Sequence, residues 1–265
     1  MKISIIGAGR LGRTLAVALA KRGHSIVDLW NQTETAARAS RRFVGGGRAV
    51  WTLERLSNDF DLLWIAVPDD AIHSVAARLS RTPLRWNNKE VWHASGAHDS
   101  TELDPLGGLG ARIASVHPLQ TLPRATRDDV FRGAYFGIEG RSRLARKVVG
   151  ELGGIPLSVS AADKPLYHAL ATLVCGLTAS LQVEALRTFR REIGNPRALL
   201  PLLLRTAANL AEQPDERSVS GPFVRGDSAT VRKHLKALAG HPKLRAAYQA
   251  LGKVASRRSP VASRQ

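Results

Sequence analysis

The sequence predicts an α/β fold: a doubly wound, parallel-rich sheet followed by an all-helical domain. Three observations predict it. A β-branched run, KISII at residues 2–6, leads straight into Gly7-Ala8-Gly9-Arg10-Leu11-Gly12. Strand-like and helix-like segments then alternate to about residue 160, as in a parallel α/β sheet. Beyond that point strand-like runs stop, and apolar residues recur at threes and fours.

The first thirty-odd residues justify the opening unit. Leu11, Leu15, Ala18 and Leu19 recur at helical spacing, Gly23 stops the helix, and residues 25–30 form a second apolar strand. A GxGxxG loop between strand and helix is a dinucleotide-binding signature, which makes this the first half of a Rossmann domain. Gly7 permits the tight turn, Gly9 lets backbone approach a pyrophosphate, and Gly12 lets the helix pack on the strand. The helix N-terminus offers free N–H groups and partial positive charge to the phosphates. Gly7, Ala8, Gly9, Arg10, Leu11 and Gly12 are therefore candidate cofactor residues.

The end of the second strand bears on which dinucleotide is taken. An NAD site usually carries Asp or Glu there, bonded to the ribose 2′-hydroxyl. Asn31-Gln32-Thr33 stand there instead, and Asp28 lies mid-strand, too early. A 2′-phosphate is repelled by a carboxylate and tolerated by Asn and Thr, so NADP (NADPH) is the expected cofactor. Arg10, inside the loop, is the best-placed cation for that phosphate; Arg38, Arg41 and Arg42 read equally well as an exposed helix face.

The remaining elements follow in order. Residues 34–43 read as a helix ended by Gly45-Gly46-Gly47, and 49–52 as a short third strand. Residues 62–67, LLWIAV, are wholly apolar, as central parallel strands are. Val67 and Pro68 end that strand beside the glycine loop and are expected to touch the cofactor; Asp69 or Asp70 reads as the cap of the next helix. The strand at 90–94 ends in His93-Ala94-Ser95-Gly96, and the strand at 112–116 in His117-Pro118-Leu119-Gln120, so two successive strands finish in ligand-capable residues at one edge. Strand 135–138, helix 142–152 and strand 156–160 complete the sheet domain. A long apolar helix is expected over 164–189. Helices starting at Asn195-Pro196, Asp227 and Pro242 follow it. The expected organisation is a dinucleotide-binding domain over 1–159, a helical domain over 160–256 and a basic, disordered tail over 257–265.

Composition narrows the function classes. The chain has 265 residues, of which 44% are hydrophobic, enough for one large or two modest cores. No run of 18 uninterrupted apolar residues occurs, so no membrane span is expected. Met1 leads almost directly into the first strand, which leaves no room for a leader peptide. The single cysteine, Cys175, excludes an internal disulfide and suits a reducing cytoplasm. The net charge is +17. The arginines are scattered, and no zinc knuckle or aromatic-basic motif accompanies them, so a nucleic-acid role is not expected. No HxxxH or cysteine cluster suggests a metal.

Five segments together resemble a known family. They are GAGRLG at 7–12, HASGA at 93–97, SVHPLQTL at 115–122, DKPLYHALA at 163–171 and SGPFVRGDSATVRKHL at 220–235. In this order they resemble the Rossmann-like proteins with a C-terminal domain of unknown function 2520. These sit within the broader superfamily of 6-phosphogluconate dehydrogenase, ketopantoate reductase and pyrroline-5-carboxylate reductase. The resemblance implies a 6-phosphogluconate-dehydrogenase-like helical domain, NADP-dependent oxidoreductase chemistry with no particular substrate attached, and a dimer built through the helical domain. One departure stands out. The hydroxyacid dehydrogenase branch carries a lysine four residues before an asparagine in the first long C-terminal helix, and here those positions align with Thr172 and Gly176.

Hydride transfer to a C=O or C=N carbon needs a proton donor at the heteroatom. His117 ends a strand at the ligand edge. Lys164 and His168, four apart, share one helix face and are expected to point toward the nicotinamide, with Tyr167 about 100° away around the helix. His117, Lys164 and His168 are the candidate catalytic residues, and Ser95 a candidate for the nicotinamide amide or substrate. Arg225 could meet a substrate carboxylate, although Asp227 beside it reads as a helix cap. The expected activity is reduction of a small carbonyl or imine acid between the two domains. The alternative is a protein that binds and reports NADPH without chemistry.

Overall fold

The computed structural model describes residues 1–256, and the basic tail expected over 257–265 lies outside them. The chain divides into two compact units, Met1–Val174 and Cys175 onward.

The first unit opens with β1 (Lys2–Ile6), α1 (Arg10–Lys21), β2 (Ser25–Trp30), α2 (Glu34–Val44) and β3 (Arg48–Val50). Then come β4 (Leu62–Ile65), α3 (Ile72–Leu79), β5 (Glu90–His93), the short α4 (Asp104–Gly107), β6 (Arg112–Pro118), β7 (Tyr135–Gly140), α5 (Ala145–Glu151), β8 (Ile155–Ser158) and α6 (Lys164–Thr172). The strands form one eight-stranded sheet in the order β3-β2-β1-β4-β5-β6-β7-β8. Every pairing is parallel except β6 with β7. Strand order reverses at β1, which places a crevice at the carboxyl ends of β1 and β4.

The sequence explains why the sheet is covered on both faces. All four residues of β4 are buried, and alternate side chains enter opposite cores. Trp64 joins Ile3, Ile5, Leu15 and Leu19 on one side, while Leu63 and Ile65 join Ile6, Ile72, Val75 and Leu79 on the other. Trp64 and Trp92, from neighbouring strands, meet edge to face at 5.1 Å. This packing gives β1, β4, β5 and β6 a rigid common edge.

Several boundaries differ from the sequence reading. A single turn of 3₁₀ helix at Asp69–Ala71 precedes α3, and neither Asp69 nor Asp70 caps it; Pro68 occupies the cap position. β6 runs on through His117 and Pro118 because it pairs with β7 along that length. The expected long helix after residue 164 is interrupted by a π-helical turn at Leu173–Leu177, and the division between units falls there. Residues Lys164–Glu192 are nonetheless long and apolar enough, by composition, to cross a membrane, with a mean hydropathy of 1.5 in their most apolar stretch. A search for uninterrupted apolar runs misses such a segment because isolated polar residues break the run.

The second unit contains α7 (Thr178–Glu192), α8 (Leu200–Glu212), α9 (Ser228–Ala237) and α10 (Pro242–Ala255). Asn195 caps the 3₁₀ turn before α8 by accepting from the Arg197 N–H, and Asp227 caps α9 by accepting from the Thr230 N–H. Phe223 packs against Tyr248 at 5.1 Å and over Gly252, where a side chain would collide with its ring.

Candidate functional site

The glycine loop is built as its spacing requires. Gly7 has φ +85°, and a Cβ there would lie 2.7 Å from the Ala66 carbonyl oxygen, so glycine is demanded twice over. A Cβ on Gly12 would lie 2.5 Å from the Gly7 carbonyl and 3.0 Å from Ile5, which keeps α1 tight against β1. Gly9 differs: its Cβ would meet only the Gly7 carbonyl, at 3.9 Å. Gly9 is the N-cap of α1, and no side chain caps that helix. The first-turn N–H groups therefore have no side-chain acceptor from a cap, the arrangement that suits a phosphate group.

Three donors converge on one carbonyl to hold this loop. The Ala8 oxygen accepts from Arg13 Nε at 3.0 Å, from the Ser40 hydroxyl at 2.9 Å and from Asn31 Nδ2 at 3.4 Å. Asn31 Nδ2 also donates to Ser40 Oγ at 2.9 Å. The Asn31 side chain thus ties the loop to α2. Thr33 caps α2, accepting from the Ala36 N–H, while the Gln32 and Arg10 side chains are exposed. Val67 borders the loop, its Cγ1 lying against the Gly7 position. Asp28, wholly buried, accepts from Arg48 Nε at 2.8 Å and from the Ser57 N–H at 2.6 Å, so it belongs to the sheet edge.

At the same sheet edge, β5, β6, β7 and α6 bring a polar cluster together. His117 Nδ1 lies 2.9 Å from the Tyr167 hydroxyl. Its ring meets His168 and Tyr167 edge to face, each at 5.6 Å. Gly96 abuts both imidazoles: a Cβ there would collide with His168 Cδ2 and lie 3.0 Å from His117 Nε2. Gly137 stands opposite His117 in the β6–β7 ladder, and a Cβ on it would lie 2.5 Å from the Tyr167 hydroxyl. Two glycines therefore make room for the three rings.

Lys164 lies behind this cluster. Its ammonium is fully enclosed, donating to the Ser95 carbonyl at 2.9 Å and to the Ser115 hydroxyl, which itself donates to Ser95 at 3.0 Å. Lys164 thus clamps the Ser95–Gly96 loop to β6. The Ser95 hydroxyl accepts from the Ala97 and His98 N–H groups, both at 3.1 Å, and so shapes its own loop. His93, also buried, bonds the Asp99 carbonyl through Nε2 and accepts from the Ser95 N–H through Nδ1.

Burial dominates the electrostatics. It pushes His117 down to about 3 and His93 to about 4, so both imidazoles are neutral at physiological pH. It pushes the Lys164 ammonium down to about 8, against the opposing pull of Glu139, Asp69 and Asp99. It raises the Tyr167 phenol to about 12, so the hydroxyl keeps its proton.

The structure thus gathers His117, His168, Lys164 and Ser95 and adds Tyr167, which sequence reasoning set aside. The helical angle between Tyr167 and Lys164 or His168 was the reason; in the structure the tip of α6 meets β6 and β7 broadly enough that Tyr167 and His168 both contact His117. Glycines opposite aromatic positions, here Gly137 and Gly96, are the signal that would have found it. Lys164 and His168 do not present equivalent groups, because the lysine is enclosed and the histidine is half-buried. Among the described residues no group of three or more His, Cys, Asp or Glu forms a metal site.

A Rossmann-type sheet with an uncapped glycine-loop helix and a His–Tyr–His cluster on its ligand edge defines the class. Residues 1–118 match the Rossmann-like domain family, and residues 134–255 match the domain of unknown function 2520. The chain belongs to the Rossmann-like proteins that carry this C-terminal domain. No curated protein matches its sequence. Among solved structures it is similar to a candidate NADP oxidoreductase of Bacteroides fragilis, at 22% identity over 97% of this chain and 98% of that one, with a TM-score of 0.85. It is also similar to a reductive aminase of Aspergillus terreus, solved with NADPH and ethyl-5-oxohexanoate, at 20% identity over 97% and 94% of the two chains and a TM-score of 0.68. An imine reductase of Streptomyces aurantiacus shares 15% identity over 97% and 96%, with a TM-score of 0.65. At these identities the likeness establishes the fold.

Proposed function

We propose that the chain is an NADP-dependent oxidoreductase that reduces a C=O or C=N bond in a small acid. One observation carries the reading: the carboxyl edge that bears the uncapped N-terminus of α1 also bears His168, a neutral His117 and a protonated Tyr167, packed ring against ring. The likeness to an NADP oxidoreductase, a reductive aminase and an imine reductase supports it.

In this reading Gly7 to Gly12 and the N-terminus of α1 hold the pyrophosphate, with Val67 and Pro68 alongside. Arg10, Gln32 and Thr33 serve the adenosine 2′-phosphate, while Asn31 acts indirectly by holding the loop. Bound NADPH would supply the hydride equivalent. His168 is the candidate proton donor to the substrate heteroatom. Neutral His117 can only relay a proton, its Nε2 proton leaving as Nδ1 takes one from the Tyr167 hydroxyl, which solvent then reprotonates. In the tautomer with Nδ1 unprotonated, the Tyr167 hydroxyl donates to His117 Nδ1 and the imidazole proton stands on Nε2, at the Gly96 side. Lys164 is a positioning residue, keeping the Ser95–Gly96 loop where Gly96 admits both rings. The net charge of +17 favours an anionic substrate.

The chain works as a cytoplasmic homodimer in this proposal. Leu202 and Leu204 on α8 are 66% and 70% exposed, and Val174 before α7 is 80% exposed. Apolar surface of that extent suits a second copy.

A panel of 2-keto and imino acids with NADPH tests the proposal. Oxidation of NADPH by the wild type, abolished in His117→Ala and His168→Ala with NADPH affinity retained, supports it. Tight NADPH binding with no turnover on any member favours binding without chemistry, the reading that the missing lysine–asparagine pair at Thr172 and Gly176 supports.

A further inference from the structure

The first unit holds a second cavity, of ≈ 720 Å³, between α2 and the edge strand β3. Four guanidinium side chains line it: Arg38, Arg41, Arg42 and Arg48. Trp51 forms a wall, and no acidic residue is part of the lining.

Three of these arginines are held by their surroundings. Arg48 is anchored from below by buried Asp28, Nε to Oδ1 at 2.8 Å, and its Nη2 donates to the Arg55 carbonyl. Arg41 Nε donates to the Gly47 carbonyl at 3.1 Å. Arg38 is fixed by Glu34, Nε to Oε1 at 2.7 Å, and lies 5.9 Å over the Trp51 ring. In each case Nε is engaged, and further N–H groups of the fork remain for a ligand. Among the described residues, the Arg42 side chain has no hydrogen bond or ion pair. Asp28 and Glu34 pair with Arg48 and Arg38, while Arg41 and Arg42 have no carboxylate partner in the lining; a multiply charged anion would offset their repulsion.

Part of the cavity lies away from the glycine loop: Gly47 and Arg48 stand at the start of β3, whereas the glycine loop is at the carboxyl ends; Trp51 follows the other end of β3. A concave site suits a small molecule better than a polymer laid across a flat basic face.

We propose that this cavity binds a small molecule carrying two or more phosphoryl groups, at a site separate from the dinucleotide. Guanidinium forks match phosphoryl oxygens two by two, and several forks in one concavity select for several phosphoryl groups.

Calorimetric titration of the full chain with tripolyphosphate, at fixed ionic strength and with NADPH saturating, tests this. The expected result is 1:1 binding that NADPH does not displace and that Arg42→Ala weakens at least tenfold. Arg42→Ala is an exposed helix position, and circular dichroism checks that the variant is folded. Absence of binding, competition by NADPH, or binding that Arg42→Ala and Arg42→Glu leave unchanged would each overturn the proposal. The last result would mean general attraction to a basic surface.

Discussion

The Tyr167 hydroxyl lies 2.9 Å from Nδ1 of His117, joining two residues fifty apart in sequence across the end of a β-strand and the start of a helix. The bond exists because Gly137, opposite His117 on β7, leaves the volume the phenol occupies. It fixes which imidazole nitrogen is free to act.

Tyr167→Phe removes that bond and keeps the ring. Turnover should fall roughly tenfold to a hundredfold, since a positioned acid or base contributes more than that in total. The Kd for NADPH should stay within about twofold, because the phenol is not part of the phosphate cradle. Steady-state kinetics beside a fluorescence titration separates the two.

Gly9→Ala and Gly12→Ala should fail in different ways. The Gly9 methyl enters open space, so stability should hold while dinucleotide affinity drops at least about tenfold through lost backbone approach. The Gly12 methyl meets the Gly7 carbonyl at 2.5 Å and should lower Tm before any ligand is added. Thermal melts with and without NADPH read both.

Lys164 makes stability depend on alkaline pH. Its folded-state value is about 8, against 10.5 in the unfolded chain, so between those values the unfolded state holds the extra proton. Stability from this group therefore rises as pH climbs from 8 to 10.5, by about 3 kcal/mol at most. Lys164→Met should lack that rise. Denaturant melts of both proteins at pH 7.5 and pH 10 measure the difference.

Leu202→Glu with Leu204→Glu, two exposed apolar residues of α8, should convert the proposed dimer to a monomer with α-helical content unchanged. Light scattering after size exclusion gives the mass directly.

Much of this was legible in the sequence. The glycine loop and its flanking apolar runs dictate β1, α1 and β2 through local sterics, and LLWI over 62–65 could only be a strand buried on both faces. Asp227 as a cap is likewise a local matter. What escaped was tertiary. Asn31 reads as a ligand residue, and its Nδ2 is also shared between Ser40 Oγ and the Ala8 carbonyl, a tertiary contact that spacing does not reveal. Lys164 and His168 share a helix face, yet one is enclosed and the other half-buried, because β6 supplies Ser115 beneath the first only. The interruption at Leu173–Leu177 has no spacing signature, since leucines recur across it without a break.

The most direct measurement is a paired titration of the purified protein with NADPH and NADH at matched salt. The account predicts tight NADPH binding, with NADH at least tenfold weaker, a gap of about 1.4 kcal/mol. Binding of neither dinucleotide would contradict it, whatever the geometry of the His117–Tyr167–His168 cluster.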